Sequence, residues 1–235
     1  MLGFGFRPGG AEKRGSMGRW TGLGAAVAVL MAAGSAAVAR PALGQEEASD
    51  PAKPQRHFRV ERPADLSDAD ALSVYSRILD DMVAGYRLSG DTTARDFRAW
   101  RRFNKAPYRS QTHGERFVNN YGNATAKAYG AYEKAGSLPV GSILAKDSFA
   151  VTSSGDVFTG PLFLMEKMPA GFNAASRDWR YSMIMPDGSL FGVTGGSGSA
   201  RVEFCITCHQ AAGDERDHLF FMPEAYRVRI LRLND

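Results

Sequence analysis

Cys205, Ile206, Thr207, Cys208 and His209 form a C-x-x-C-H run, and its two cysteines are the only ones among 235 residues. Two thiols separated by two residues can each add across one vinyl group of a single porphyrin, and a histidine directly behind them is then set under the iron. The spacing is the attachment signature of a haem c, with Cys205 and Cys208 as thioether donors and His209 as the proximal iron ligand.

Three other chemistries compete for the same residues. A dithiol redox pair of this spacing ordinarily opens a helix after a strand in a βαβ unit, whereas Gly192 to Ala200 is a glycine and serine stretch. Structural zinc draws on a second close ligand pair, and His218 is the only other histidine nearby. A disulfide across C-x-x-C closes a tight ring that staples almost nothing.

Haem attachment of this kind requires export, and the N-terminus reads accordingly. Arg19 precedes an apolar run from Gly22 through Ala39, closed by small residues at Ala37-Val38-Ala39 and Ala42-Leu43-Gly44. That is the layout of a secretory signal peptide over residues 1–45, cleaved near Ala39 or Gly44. A span needs about 20 apolar residues, so an uncleaved N-terminal anchor is the second reading, disfavoured by the alanine and glycine content. Met17 stands just ahead of the leader, which leaves residues 1–16 upstream of an alternative start.

The leader also accounts for the charge. The chain carries a formal +4, and residues 1–45 hold Arg7, Lys13, Arg14, Arg19 and Arg40 against Glu12 alone. The remaining 190 or so residues are close to neutral, so the basic pI is no argument for nucleic acid. Residues 46–64 are polar and proline-containing and read as a mobile lead-in. Residues 65–235 are enough for one domain with its own core.

A helix over 67–87 opens on the N-cap signature Ser67-Asp68-Ala69-Asp70 and carries Leu72, Tyr75, Ile78, Leu79, Met82 and Tyr86 at helical spacing. A second helical stretch is expected over 124–134, with Tyr129 and Tyr132 as packing residues. The rest reads as strands over 115–119, 141–151, 157–168, 178–185 and 189–193, with turns at Ser153-Ser154-Gly155-Asp156 and Pro186-Asp187-Gly188. Connections this short imply antiparallel pairing. The expected fold is α+β, an antiparallel β-sheet with flanking helices carrying one covalently bound haem c.

Arg116-Phe117-Val118-Asn119-Asn120, Pro139 through Lys146, Met165-Glu166-Lys167 with Trp179 behind it, and the terminal C-x-x-C-H together resemble the cytochrome P-460 family over roughly residues 90–230. The resemblance implies a periplasmic mono-haem protein, homodimeric, with the sixth iron position open. It sets Lys146 where enzymatic members join a lysine to the porphyrin edge, and Arg116 on the distal side, where a fixed cation could steer a polar ligand. The carboxylate that serves as proton acceptor in those members aligns at Pro161 to Leu164, an apolar stretch, and Glu166 is the nearest acid.

Two functions follow from the resemblance. In the first, hydroxylamine or nitric oxide is oxidised at the open position and electrons pass to a soluble cytochrome c, with Lys146, Arg116 and Glu166 as the catalytic set. In the second, the open site captures nitric oxide or carbon monoxide without turnover, as in the cytochromes c′-beta. A third function, plain electron transfer, needs a sixth ligand from His218 or Met222, although the segment from Asp217 to Phe221 reads better as packing behind the haem. His113, before Gly114, reads as a turn or hydrogen-bonded core histidine. The phenylalanines at 149, 158, 163 and 172 are pocket candidates, but aromatics on strands are core residues by default.

Overall fold

The computed structural model describes residues 59–228, so the leader and most of the lead-in fall outside the described residues. Helix α1 runs Asp68–Arg87, with the Ser67 side chain accepting from the Asp70 N–H at its start and Asp68 and Asp70 in the first turn. That cap satisfies an orphan donor, and the acids suit the positive end of the helix dipole. The sequence-expected bounds match. A short helix α2, Thr92–Asp96, follows, capped by Asp91.

Eight strands make one antiparallel sheet: β1 Arg101–Arg102, β2 Tyr108–Ser110, β3 Arg116–Gly122, β4 Ile143–Val151, β5 Val157–Thr159, β6 Leu162–Lys167, β7 Trp179–Ile184 and β8 Leu190–Val193. The order is β1-β3-β4-β6-β7-β8, with β2 also on β3 and β5 also on β4. The expected fold class is therefore correct as an α+β domain on an antiparallel sheet. The β7–β8 hairpin turns at Pro186-Asp187-Gly188 as read from the sequence, closed by Asp187 Oδ1 accepting from the Ser189 N–H.

The expected strand 157–168 is two strands, because Gly160-Pro161 interrupts it. Proline has no N–H to donate to a ladder, and the Ser148 hydroxyl donates to the Pro161 carbonyl at 2.6 Å while Tyr86 donates to that of Gly160 at 2.6 Å. The expected helix 124–134 is instead 3-10 in character over Thr125–Lys134 and breaks at Tyr132, whose φ is +54°. Tyr132 is held in that left-handed conformation by hydrogen bonds from its hydroxyl to the carbonyls of Phe103 and Val228. Residues 59–64 were expected to be mobile. They are instead stitched to the sheet by Ala64 N–H to the Val151 carbonyl, a bridge between Pro63 and Thr152, and an Arg59–Glu115 ion pair.

The register divides the sheet into two faces, since side chains alternate with period two. Phe117, Tyr121, Ala145, Phe149, Leu162, Leu164 and Ile184 point to one side and pack with α1 through Ala71, Val74, Tyr75, Met82, Val83 and Tyr86. Val118, Leu144, Trp179 and Tyr181 point to the other, against Tyr129, Leu138, Leu219 and Met222. A third helix, α3, Glu203–Gln210, lies on this second side, where Cys205 packs with Phe163, Met183 and Val202.

Candidate functional site

Helix α3 carries Cys205, Cys208 and His209 at positions i, i+3 and i+4, so the three side chains share one helix face. The sequence reading did not anticipate a helix here. All three line a cavity whose other lining includes Leu144, Lys146, Phe163, Met165 and Tyr181 from the sheet and His113, Tyr129 and Phe220 from the segments around it.

His209 is oriented from behind. Its Nδ1–H donates to the His218 carbonyl at 2.9 Å, which places the lone pair on Nε2, the tautomer an iron ligand needs. Its ring is flanked by Tyr181 and Phe220, with centroids 5.1 and 5.5 Å away. The segment that presents that carbonyl is itself anchored. Asp217, fully buried, accepts from Lys167 Nζ at 2.5 Å and from the Leu138 N–H at 3.0 Å, while its own carbonyl accepts from Trp179 Nε1 at 2.8 Å. Lys167 and Trp179 thus hold the loop behind the histidine.

The same geometry removes the sixth-ligand reading of His218. Its backbone lies on the His209 side and its Nε2 pairs with Asp214 at 2.9 Å. Met222 is buried in the cluster with Tyr129 and Trp179. Neither lines the cavity.

The rival chemistries of the C-x-x-C pair also fail on the site. Burial pushes the Cys205 thiol up to about 12, with Cys208 adding to the effect, and burial raises Cys208 too, against the pull of Lys146. Dithiol exchange works through a thiolate favoured by an electropositive setting, and neither thiol has one strong enough. Both cysteines are unbridged. Among the described residues no group of three or more His, Cys, Asp or Glu side chains is arranged to hold a metal ion.

Lys146 is brought to the cavity. It sits mid-strand on β4, opposite Asn120 on β3 and Phe163 on β6, and reaches close enough to Cys208 for each to feel the other's charge. Burial lowers its ammonium from 10.5 to about 8, an effect the Cys208 charge only partly offsets. Arg116 opens β3 on the same face by register, partly buried, and burial lowers its guanidinium. It is not among the cavity-lining residues.

Glu166 is a correction. It lies one residue from Met165, which lines the cavity, so its side chain points to the opposite face, where it is paired with Arg180 on the neighbouring strand. The same alternation sorts the phenylalanines. Phe163 shares the face of Lys146 and lines the cavity, Phe149 is buried beneath α1, and Phe158 is 55% exposed on β5.

Two contributors escaped the sequence reading. Tyr129, expected only to pack, lines the cavity, accepts from Asn120 Nδ2 at 3.1 Å and donates to the Phe220 carbonyl at 2.9 Å. His113 lines it as well, with Nε2 3.5 Å from Lys146 Nζ and Nδ1 2.9 Å from Ser110 Oγ. Its place beside Gly114, ahead of a strand, was the available signal. The Asn119-Asn120 pair explains its own motif: Asn119 donates to buried Asp147 at 2.9 Å on the α1 side, and Asn120 serves Tyr129 on the cavity side.

The cavity fits a haem. Apolar walls suit the macrocycle, two thiols and an Nε2 lone pair stand together, and the Tyr181 hydroxyl is buried without a hydrogen-bond partner in the described structure. An antiparallel α+β domain with a C-x-x-C-H helix against one face of its sheet is a haem-binding domain of an uncommon, sheet-based kind. The Cytochrome P460 family model matches residues 94–221, more than half of the chain, and the chain belongs to that family. It is thus a haem protein, with iron in its cofactor, related to the hydroxylamine-oxidising cytochromes. No curated protein matches it.

Proposed function

We propose that this chain is an exported, periplasmic mono-haem c protein that oxidises hydroxylamine or nitric oxide at an open iron position and passes the electrons to a soluble cytochrome c. Cys205 and Cys208 would form the thioethers and His209 would ligate the iron. The bound haem supplies a redox-active iron with one position for a small nitrogenous ligand. The chain supplies the rest: the His218 carbonyl, on a loop anchored by Asp217, holds His209 in its tautomer, and Lys146 would meet the porphyrin edge, where a covalent link would alter the macrocycle's electronics. As in the family, the working unit is a homodimer.

The observation that carries this reading is the placement of Lys146 in the cavity of the C-x-x-C-H helix, which Cys205, Cys208 and His209 also line. A solvated lysine at a strand end would lie elsewhere. The second reading, capture of nitric oxide or carbon monoxide without turnover, draws support from Glu166 being turned away and from the apolar Leu144, Phe163 and Met165 wall.

Mass spectrometry of a protease digest, on protein matured with a haem c attachment system, separates the two. Haem joining the Cys205–His209 peptide to the Lys146 peptide supports the enzyme, and hydroxylamine turnover with a cytochrome c acceptor is then the assay. Haem on the Cys205–His209 peptide alone moves gas binding ahead. Retention of covalent haem after denaturation by a Cys205→Ser, Cys208→Ser double variant would sink both.

A further inference from the structure

Tyr181 lines the cavity with a buried hydroxyl that has no hydrogen-bond partner among the described residues. We propose that this hydroxyl is the cavity's hydrogen-bond donor to the group it binds, the acceptor being an oxygen carried in with that group. The inference rests on the haem reading above and deepens it.

The other buried polar side chains on this face of the sheet are already engaged. Asn120 accepts from the Tyr108 hydroxyl and donates to Tyr129, both at 3.1 Å, and Tyr129 donates to the Phe220 carbonyl at 2.9 Å. Tyr181 is as deeply buried, at 2% exposure, and its hydroxyl has no such outlet. A buried hydroxyl left unpaired is costly, and folded proteins keep few of them. Its cross-strand neighbours on the same face, Met165 and beyond it Leu144, carry no oxygen in their side chains.

The residue is also fixed in place. Its N–H donates to Thr194 Oγ1 at 3.1 Å and its carbonyl accepts from the Thr194 N–H at 2.9 Å, which clamps the backbone. The ring lies against that of His209, with centroids 5.1 Å apart, and so stays on the cavity side. A phenol near neutral pH both donates and accepts, whereas an ionised carboxylate only accepts, and carbon monoxide and nitric oxide have no proton to give. Towards these groups Tyr181 is the donor. Two sources bring such an oxygen to the cavity: a carboxylate of the macrocycle, and a small ligand held on the iron. Both offer the hydroxyl the same chemistry, an oxygen lone pair.

The test compares wild-type holoprotein with Tyr181→Phe, which keeps the ring against His209 and removes only the hydroxyl. Infrared spectra of the carbon monoxide complex give the C–O stretch, and resonance Raman spectra of the reduced protein give the carboxylate bending band and the iron–histidine stretch. With the iron-bound ligand as acceptor, the variant's C–O stretch moves up and carbon monoxide leaves about tenfold faster, the upper end of what one neutral hydrogen bond contributes. With the macrocycle as acceptor, the carboxylate band moves down and dissociation is unchanged. In both cases the iron–histidine stretch and the haem content stay at their wild-type values. If neither the C–O stretch nor the carboxylate band moves, the proposal is overturned. A moved iron–histidine stretch overturns it too, because that marks ring packing on His209 rather than donation.

Should Tyr181→Phe lose haem, the crystal structure of the wild-type holoprotein with carbon monoxide decides. A hydroxyl within about 3.5 Å of one of those oxygens is the expected result, and a greater separation from all of them refutes the donor role. A haem-loaded wild type in which the hydroxyl is silent overturns only that role. A wild type that takes up no haem overturns the haem reading together with it.

Discussion

Lys146 shows how one residue's environment and its role are the same fact. Its ammonium is lowered to about 8 chiefly by burial, so the folded chain gives up the proton more readily than the unfolded chain, whose value is 10.5. Below about pH 8 both states are charged and the folded state bears the whole desolvation cost, of roughly 3 kcal/mol at most and less because the side chain is partly exposed. Between pH 8 and 10.5 the unfolded chain binds more protons, so stability rises with pH. Lys146→Met is therefore expected to be more stable than wild type near pH 7, with the gap closing as pH is raised through that window. Denaturant titrations at several pH values check this, and a gap independent of pH would refute it. His113 carries the other residue-scale lesson: it reads as a turn or hydrogen-bonded core histidine from its neighbours, and it closes a short 3-10 helix against Ser110, yet the fold also sets it against the cavity.

Elements are held to one another by a few non-exchangeable contacts. The Lys167–Asp217 pair ties β6 to the loop behind His209, with side-chain exposures of 11% and 0%. Removing one member leaves a buried charge uncompensated, so Asp217→Ala is expected to cost about 3–5 kcal/mol in chemical denaturation. It should also loosen His209, visible as a shifted haem spectrum in the holoprotein if His209 ligates the iron as proposed. Gly85 in α1 makes a second prediction with an unusual sign. Alanine in a helix interior is ordinarily better than glycine by about 1 kcal/mol, but a methyl group at this position would run into the Pro186 carbonyl of the β7–β8 turn. Gly85→Ala is thus expected to lower the melting temperature, with an overpacking cost of about 1–3 kcal/mol. Helix α1 itself was legible because its cap and its apolar spacing agree. The 125–134 segment was not, because Tyr132 is satisfied by the carbonyls of Phe103 and Val228, far along the chain.

At the scale of the molecule, a single sheet separates two jobs. One face with α1 forms a closed core rich in aromatic pairs, such as Phe117–Phe149 and Phe97–Tyr121. The other carries the cavity and α3. The central strands β3, β4 and β6 are covered on both faces and paired on both edges, so native-state hydrogen exchange should be slowest there. The edge strands β1 and β8 and residues 59–64 should exchange orders of magnitude faster. Protection spread evenly over the sheet would contradict this two-sided core.

The C-x-x-C-H spacing, the capped helix and the alternating strands are local patterns, and local patterns were enough to reveal the haem box, the α+β class and the places of α1 and the longer strands. They work because covalent attachment, helix capping and the strand pleat each act within a few residues. Which face a strand residue takes, and which loops meet, are set by pairing between distant segments. Glu166 and Met165 are neighbours in sequence and opposites in the sheet, whereas His113, Lys146 and Cys208 are scattered in sequence and share one cavity. Only register and the docking of α3 on the sheet decided that, because a shift of one residue in pairing turns every side chain of a strand to the other face.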